Sequence, residues 1–212
     1  MKSIIFTLSV LFLTNQFCNA QNEILKKDTL QYIKVLEVKK LTFYGIDYST
    51  LEYVESDKVG TEAEIATYFA PWISNFENSW YDLSTEFQKS TILDREKVQR
   101  SFQSKKGNWV TFERHPLTLD SIRKIVKTYE TKGDAGTVGF VVLVEAFEKS
   151  VERAFIDVVF FDNASKDVLW RVKIAGDARP GGMTRHWSSA VDNAFHEFLI
   201  YYRKELKKYK NT

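Results

Sequence analysis

The sequence contains little of several residue types that define common protein classes. Its 212 residues include 3 prolines and 9 glycines, too few for a collagen-like chain or a Pro/Gly-rich disordered chain. Neither sign of charge dominates, because 30 basic side chains are balanced by 28 acidic ones. The chain therefore lacks the positive excess of a nucleic-acid-binding protein, and we predict a globular domain with no nucleic-acid partner.

Cysteine and long hydrophobic runs are also scarce. The single cysteine, Cys18, lies near the N-terminus, so the rest of the chain has no disulfide, thiolate nucleophile or sulfur ligand for a metal. After residue 20 no apolar run approaches the roughly 20 residues of a membrane-spanning helix. We expect no metal site and no cofactor.

The first twenty residues have the pattern of a secretory signal peptide. Lys2 precedes an apolar run from Ile4 to Leu13, and Cys18-Asn19-Ala20 places small residues at the first and third positions of a cleavage site. The run of about ten apolar residues is too short to span a bilayer as a helix. We predict cleavage near Ala20, export to the periplasm or beyond, and a single domain over residues 21–212.

Apolar periodicity predicts the elements of that domain. The helical stripe that begins at Thr61 continues past Pro71 to Phe87, which indicates a kinked helix or two abutting helices. The predicted strands and helices are a strand at 38–48, the helices of 61–87, a helix at 94–104, a strand at 109–112, a helix from Thr118 to about Lys132, strands at 137–148, 152–162 and 166–175, and a helix that begins after Gly182 and ends near Lys210.

The three strands between 137 and 175 are joined by short connections, which favour an antiparallel meander. Pairing Asp162 with Lys166 places Phe160 opposite Val168, and the preceding turn places Phe140 opposite Phe160. One face of the meander is then apolar and the other mixed. The sequence therefore predicts an α+β fold: a two-layer sandwich whose mainly antiparallel sheet, the N-terminal strand plus the meander, carries helices on one face.

The mixed face supplies most of the candidate functional residues. Phe147, Phe155 and Phe161 lie there beside Arg171, and aromatic residues with arginine are typical of partner-binding surfaces. Glu145 and Asp157 share this face, and two neighbouring carboxylates can act as acid and base in a hydrolase. The structural alternative is that both acids only neutralise nearby basic side chains, and no confident catalytic residue is assigned.

Two basic segments are the other candidates. Arg179 and Arg185 flank Gly181-Gly182 at the beginning of the last helix, where open amide groups and the helix dipole favour an anion; a sharp turn that needs glycine explains the same residues. The helix then ends in the basic and aromatic stretch Tyr201–Lys210. Such a stretch is typical of a solvated helix end, or of binding to an anionic membrane surface.

Three short motifs together resemble a family of uncharacterised secreted bacterial proteins. They are Gly45-Ile46-Asp47-Tyr48-Ser49 after the first strand, Phe160-Phe161-Asp162 at the second meander turn, and the glycines that precede an aromatic-bearing final helix. The resemblance implies secretion and fold, and it implies no activity.

The leading hypothesis is an exported, non-enzymatic envelope module that binds an unknown protein or small ligand through its mixed face. The alternatives are a hydrolase of an envelope or dietary polymer that uses Glu145 and Asp157, and a peripheral protein that binds a membrane surface through its C-terminal helix.

Overall fold

A computed structural model describes residues 24–28, 31–54, 62–77, 81–95, 109–131 and 136–212. In chain order the elements are β1 (Ile24–Asp28), α1 (Tyr32–Glu37), β2 (Lys40–Asp47), β3 (Glu52–Val54), α2 (Glu62–Thr67), α3 (Phe69–Glu77), α4 (Leu83–Phe87), β4 (Ser90–Leu93), β5 (Val110–Thr111), α5 (Leu119–Lys127), β6 (Val138–Glu148), β7 (Arg153–Asp162), β8 (Val168–Asp177) and α6 (Met183–Lys210).

All of these strands belong to one mixed sheet with the order β1-β8-β7-β6-β2-β4. β3 continues along the edge of β6 after β2, and β5 pairs with β3. Three pairings are antiparallel, namely β1–β8, β6–β7 and β7–β8. The other four, β2–β4, β2–β6, β3–β5 and β3–β6, are parallel.

The prediction of a mainly antiparallel two-layer sandwich is therefore wrong, because most pairings among the described strands are parallel. The reason lies in the connections. Between β2 and β6 the described residues form four helices, and a long helical crossover returns a strand to the sheet in the same direction. Hydrophobic alternation identifies the buried face of a strand, and it carries no information on the direction of its neighbour.

The predicted helical segment at 61–87 is divided among α2, α3 and α4. Pro71 is the third residue of α3, in a first turn where a missing N–H costs little, so abutting helices replace a kink. The predicted helix at 94–104 begins with Asp94 and Arg95, which are not helical, and its other residues lie outside the described ranges. The helix that Thr118 caps ends earlier than predicted, at Lys127.

The meander strands and the β6–β7 register are confirmed, with Phe140 opposite Phe160. The predicted β7–β8 register is wrong by two residues. Phe160 pairs with Trp170, and Asp157 pairs with Lys173, because the chain turns through 163–167 and the register shifts between Phe160 and Phe161. A shift of two residues preserves the alternation of faces, so the apolar face along most of β8 is as predicted.

The larger hydrophobic core lies between the sheet and α3, α4 and α6. Trp72 of α3, Phe87 of α4 and Phe198 of α6 are buried there against Phe140 and Phe160 of the sheet. α6 contains 28 residues and is therefore about 42 Å long. None of the described helices is long and apolar enough to cross a membrane.

The second face of the sheet is covered as well. Ile122, Val126 and Tyr129, from α5 and the residues after it, are buried against Val141 and Phe161 in a second hydrophobic core. The prediction of helices on one face only is wrong, since these sheet residues are apolar enough to require their own cover. Helices thus lie on both sides of the sheet.

Candidate functional site

The predicted binding face is closed to solvent. Phe147 and Phe161 are fully buried, and Phe155 is only 6% exposed. Phe161 packs between the rings of Tyr44 and Tyr129. The expectation that these phenylalanines form an exposed surface is wrong. α5 and the chain before it cover Phe155 and Phe161, and Phe147 lies in the larger core on the other side of the sheet.

Phe147 lies on the opposite side of the sheet from its predicted position. A register irregularity between Val144 and Ala146 turns the strand there. The ring of Phe147 consequently enters the larger core and stacks on Trp187, with 4.7 Å between ring centroids. A bulge of this kind adds a residue without changing the apolar pattern, so the alternation of the sequence did not reveal it.

Glu145 lies in a buried ionic network beneath a crossing segment, residues 112–118, which leads into α5. Its carboxylate is 1% exposed and accepts hydrogen bonds from the Arg114 guanidinium at 2.9 Å and from the Leu117 amide at 2.7 Å. The ammonium group of Lys173 donates to it as well. Three donors therefore hold Glu145, and two of them belong to the crossing segment.

Asp157 is the second acid of this network and is fully buried. It accepts a hydrogen bond from Nε of Arg171 at 2.8 Å, and Nζ of Lys173 lies 3.7 Å from its other oxygen. Burial raises the pKa of Asp157, while the hydrogen bond from Arg171 and the charges of Lys173 and Arg171 oppose that rise. Arg171 also donates to the carbonyl of Leu117 at 2.7 Å, which ties the crossing segment to the sheet.

This geometry does not suit a hydrolase. A polymer substrate needs both carboxylates beside an open groove, whereas Glu145 and Asp157 lie under protein with their oxygens facing basic partners. The structural alternative, ion pairing with Arg171 and Lys173, is what the geometry supports. Arg171 is likewise inside the network and presents nothing to a partner.

An open concavity of about 370 Å³ lies elsewhere, where α6 begins. We call it the helix-start pocket. It is formed by β3, the turn between β6 and β7, and the first turns of α6. Its lining residues are Tyr53, Lys149, Glu152, Pro180, Gly181, Met183, His186 and Trp187.

Aromatic side chains form the floor of the helix-start pocket. Tyr53 and Trp187 are almost fully buried and meet edge to face, with ring centroids 5.6 Å apart. Burial raises the pKa of the Tyr53 hydroxyl, and a hydrogen bond with Trp187 partly offsets the rise. His186 packs edge to face on Trp187 at 4.7 Å. Its Nδ1 lies 3.0 Å from the carbonyl of Arg179, an acceptor, so Nδ1 carries a proton.

The rim of the helix-start pocket combines charges with open backbone groups. Lys149 supplies a cation and Glu152 an anion. Gly182 is the N-cap of α6 and has no side chain to satisfy the first amide groups, and the first turn contains no acidic residue. Glu152 has a left-handed backbone with φ of 52°, and its carbonyl accepts a hydrogen bond from Ala178 that fixes the turn.

The side chains of the two arginines in the predicted anion site lie apart from each other. The guanidinium of Arg179 bonds to Asn193 at 3.0 Å, ten residues beyond the beginning of α6, and so points away from the helix start. Arg185 stays close, since a Cβ on Gly181 would meet its side chain at 3.2 Å. The sequence analysis identifies the segment from Arg179 to Trp187 but misses Tyr53, Lys149 and Glu152. Lys149 and Glu152 lie in the turn between β6 and β7, and the parallel pairing of β3 with β6 brings Tyr53 beside them.

Within the described ranges no group of three His, Cys, Asp or Glu side chains is arranged to hold a metal ion.

Comparison with known proteins places the chain in no family. No protein-family model and no curated protein matches it. Two solved structures of PelC dodecamers from Paraburkholderia phytofirmans are weakly similar. One, a point variant, is 12% identical in sequence. The match covers 74% of this chain and 88% of the PelC chain, with a TM-score of 0.26. The other is 10% identical and covers 78% and 86%, also with a TM-score of 0.26. A similarity this low supports no conclusion about function.

Proposed function

We propose that the protein is an exported, non-enzymatic module of the cell envelope that binds a small ligand in the helix-start pocket. The proposal of export rests on the signal-peptide pattern of residues 1–20. The observation that carries the binding role is the pocket itself, an aromatic floor under a polar rim. This pocket replaces the mixed face as the candidate binding surface.

The size of the helix-start pocket limits the ligand. Small-molecule sites usually span about 300–1,000 Å³ and combine apolar walls with a few oriented polar groups. At about 370 Å³, the helix-start pocket is at the small end of that range. A single ring or a short chain fits this volume, whereas a polymer would contact it only with an end group.

The chemistry of the rim favours an anionic group on that ligand. Lys149, the nearby Arg185 and the open amides at the start of α6 all attract negative charge. Glu152 is the one acidic residue among the described residues that line the pocket. The apolar part of the ligand would lie against Met183 and the edges of Tyr53 and Trp187. A small carboxylate with an apolar body matches both requirements.

The test is an NMR titration of the exported chain with benzoate, with benzyl alcohol as the neutral probe of similar shape. The indole N–H resonance of Trp187 reports on the floor of the helix-start pocket. We expect benzoate to shift it saturably and benzyl alcohol to do so far more weakly. Lys149→Glu should weaken benzoate binding roughly tenfold, because it reverses a charge within a few ångströms of the carboxylate.

Lys124→Glu is the matched control, since it makes the same charge change on the exposed side of α5. It should bind benzoate as the unmodified chain does. Absence of any shift at Trp187, or an equal loss of affinity in both variants, would refute the proposed site.

A further inference from the structure

A second concavity lies at the other end of α6. This C-terminal groove has a volume of about 390 Å³ and is lined by Gln88, Arg203, Leu206, Lys207, Lys210 and Asn211. Because α6 is about 42 Å long, the C-terminal groove and the helix-start pocket are far apart and can be tested independently.

Three of the lining residues are basic, and their charges are only partly compensated. Arg203 lies 3.4 Å from Glu86, and both side chains are partly exposed. Lys210 donates to the neutral amide oxygen of Gln88 at 2.7 Å. Lys207 has no acidic partner within the described part of the chain. The groove therefore presents a net positive surface.

The positive charge of the groove affects the pKa of a neighbouring lysine, Lys89. Nζ of Lys89 donates to the carbonyls of Leu36 and Val38 at 2.7 and 2.6 Å, at the end of α1. Burial lowers the pKa of Lys89, and the positive charge of Lys210 lowers it further. The two ammonium groups thus repel one another beside the groove.

Cations at a helix C-terminus stabilise the helix dipole, and that effect alone explains one or two lysines in the last turn. It does not explain the apolar side chains beside them. Tyr209 is 36% exposed, and its hydroxyl donates to Glu37 of α1 at 3.1 Å. Ile33 is 46% exposed and lies one helical turn before Glu37, on the same side of α1. Exposed tyrosine and isoleucine next to lysines are typical of a surface that meets a bilayer.

We propose that the C-terminal groove docks the protein on an anionic membrane surface. A lipid phosphate occupies the groove between Arg203, Lys207 and Lys210. Tyr209 and Ile33 rest at the boundary between headgroups and acyl chains. A soluble anion would use the same cations and would gain nothing from the apolar residues, which is why we assign a lipid to the site.

The test is co-sedimentation of the exported chain with lipid vesicles. N-terminal sequencing first identifies the residue at which the exported chain begins. We expect binding to phosphatidylcholine vesicles that contain phosphatidylglycerol, and none to phosphatidylcholine alone. The double variant Lys207→Glu/Lys210→Glu should bind at least roughly 30-fold more weakly, since each lysine near an anionic surface contributes about fivefold.

The matched control is Lys124→Glu/Lys127→Glu. It makes the same charge change at the same spacing in the last turn of α5, and its affinity should be unchanged. Salt supplies a test that needs no variant. Raising NaCl from about 0.05 to 0.5 M should release the unmodified chain, because screening shortens the reach of its charges.

Several outcomes would overturn the proposal. The first is equal binding to vesicles with and without phosphatidylglycerol. The second is equal binding by the two double variants, and the third is an affinity that does not change with NaCl concentration. If inorganic phosphate shifts the NMR signals of Lys207 and Lys210 while vesicles do not bind, the groove is a site for a soluble anion and the membrane assignment is wrong.

Discussion

The charges of Asp157 and Arg171 are both fully buried, so each depends on the other. We predict that Asp157→Asn lowers the free energy of unfolding by about 3–5 kcal/mol, because it leaves Arg171 and Lys173 short of a buried counter-charge. Asparagine has nearly the same shape, so the loss reports charge and not a cavity. Urea denaturation followed by circular dichroism measures it.

Asp120→Asn provides the comparison for Asp157→Asn. Asp120 pairs with Arg123 at 3.0 Å on the exposed side of α5, where an ion pair contributes less than about 1 kcal/mol. If the two variants unfold at the same urea concentration, the buried network does not stabilise the protein in the way that its geometry indicates.

The sequence predicted the partners of this network but not its burial. Strand alternation placed Glu145, Asp157, Arg171 and Lys173 on one face, and ion pairing among them was the structural alternative. Their cover consists of the crossing segment and α5. The crossing segment has neither strand nor helix periodicity, so no pattern indicated that it lies over the sheet.

At the scale of elements, periodicity predicted the helices and strands better than it predicted their neighbours. β2, β6, β7, β8 and α6 were all predicted close to their observed bounds. The parallel pairing of β2 with β6 was not predicted, because it depends on the path of the chain through the intervening helices. A bulge near Ala146 changes the face of the sheet on which the following side chains lie, and one near Phe161 changes the pairing register. An alternation of period two in the sequence does not reveal either bulge.

The crossing of α6 over β8 gives a prediction about two glycines. A Cβ on Gly176 would lie 2.2 Å from the carbonyl of Ala190 and 2.3 Å from the amide of Ala194. These are backbone atoms and cannot move aside alone. We predict that Gly176→Ala lowers the melting temperature and the free energy of unfolding, by about 1–3 kcal/mol or more.

Gly182 is the matched position, since a Cβ there meets nothing within 4 Å and its φ of −65° suits any residue. Gly182→Ser should be neutral or stabilising by a few tenths of a kcal/mol, because serine can cap the first amides of α6. Thermal unfolding of both variants tests this pair. A Gly176→Ala protein as stable as Gly182→Ser would show that helix and strand separate easily.

At the scale of the whole molecule, the many buried tyrosines make stability sensitive to alkali. Burial is the largest cause of a raised pKa at six of the chain's 10 tyrosines, and it raises that of Tyr44 to about 12. The other five at which burial is the largest cause are Tyr48, Tyr53, Tyr81, Tyr129 and Tyr202.

The sign of the effect follows from the raised values. Below about pH 10 these tyrosines are protonated in both states, and their burial stabilises the fold fully. Above pH 10 the unfolded chain loses protons that the native chain keeps, so stability falls as pH rises toward the folded values. While the pH lies between its unfolded and folded pKa, each tyrosine lowers the free energy of unfolding by up to about 1.4 kcal/mol per pH unit. The summed loss is therefore large beside a typical stability of 5–15 kcal/mol.

We therefore predict cooperative alkaline unfolding, in which tyrosinate absorbance and the loss of circular dichroism rise together above pH 10. Tyr202 allows a sharper test. Its hydroxyl is buried and has no hydrogen-bond partner within the described residues, so Tyr202→Phe removes a titrating group without breaking a bond. The variant should be at least as stable as the unmodified chain at pH 7. Above pH 10 its free energy of unfolding should fall less steeply than that of the unmodified chain, and the two slopes should differ by about 1.4 kcal/mol per pH unit. If instead the tyrosines titrate near pH 10 in a chain that stays folded, water reaches them, and the core between the sheet and α6 is less closed than its geometry indicates.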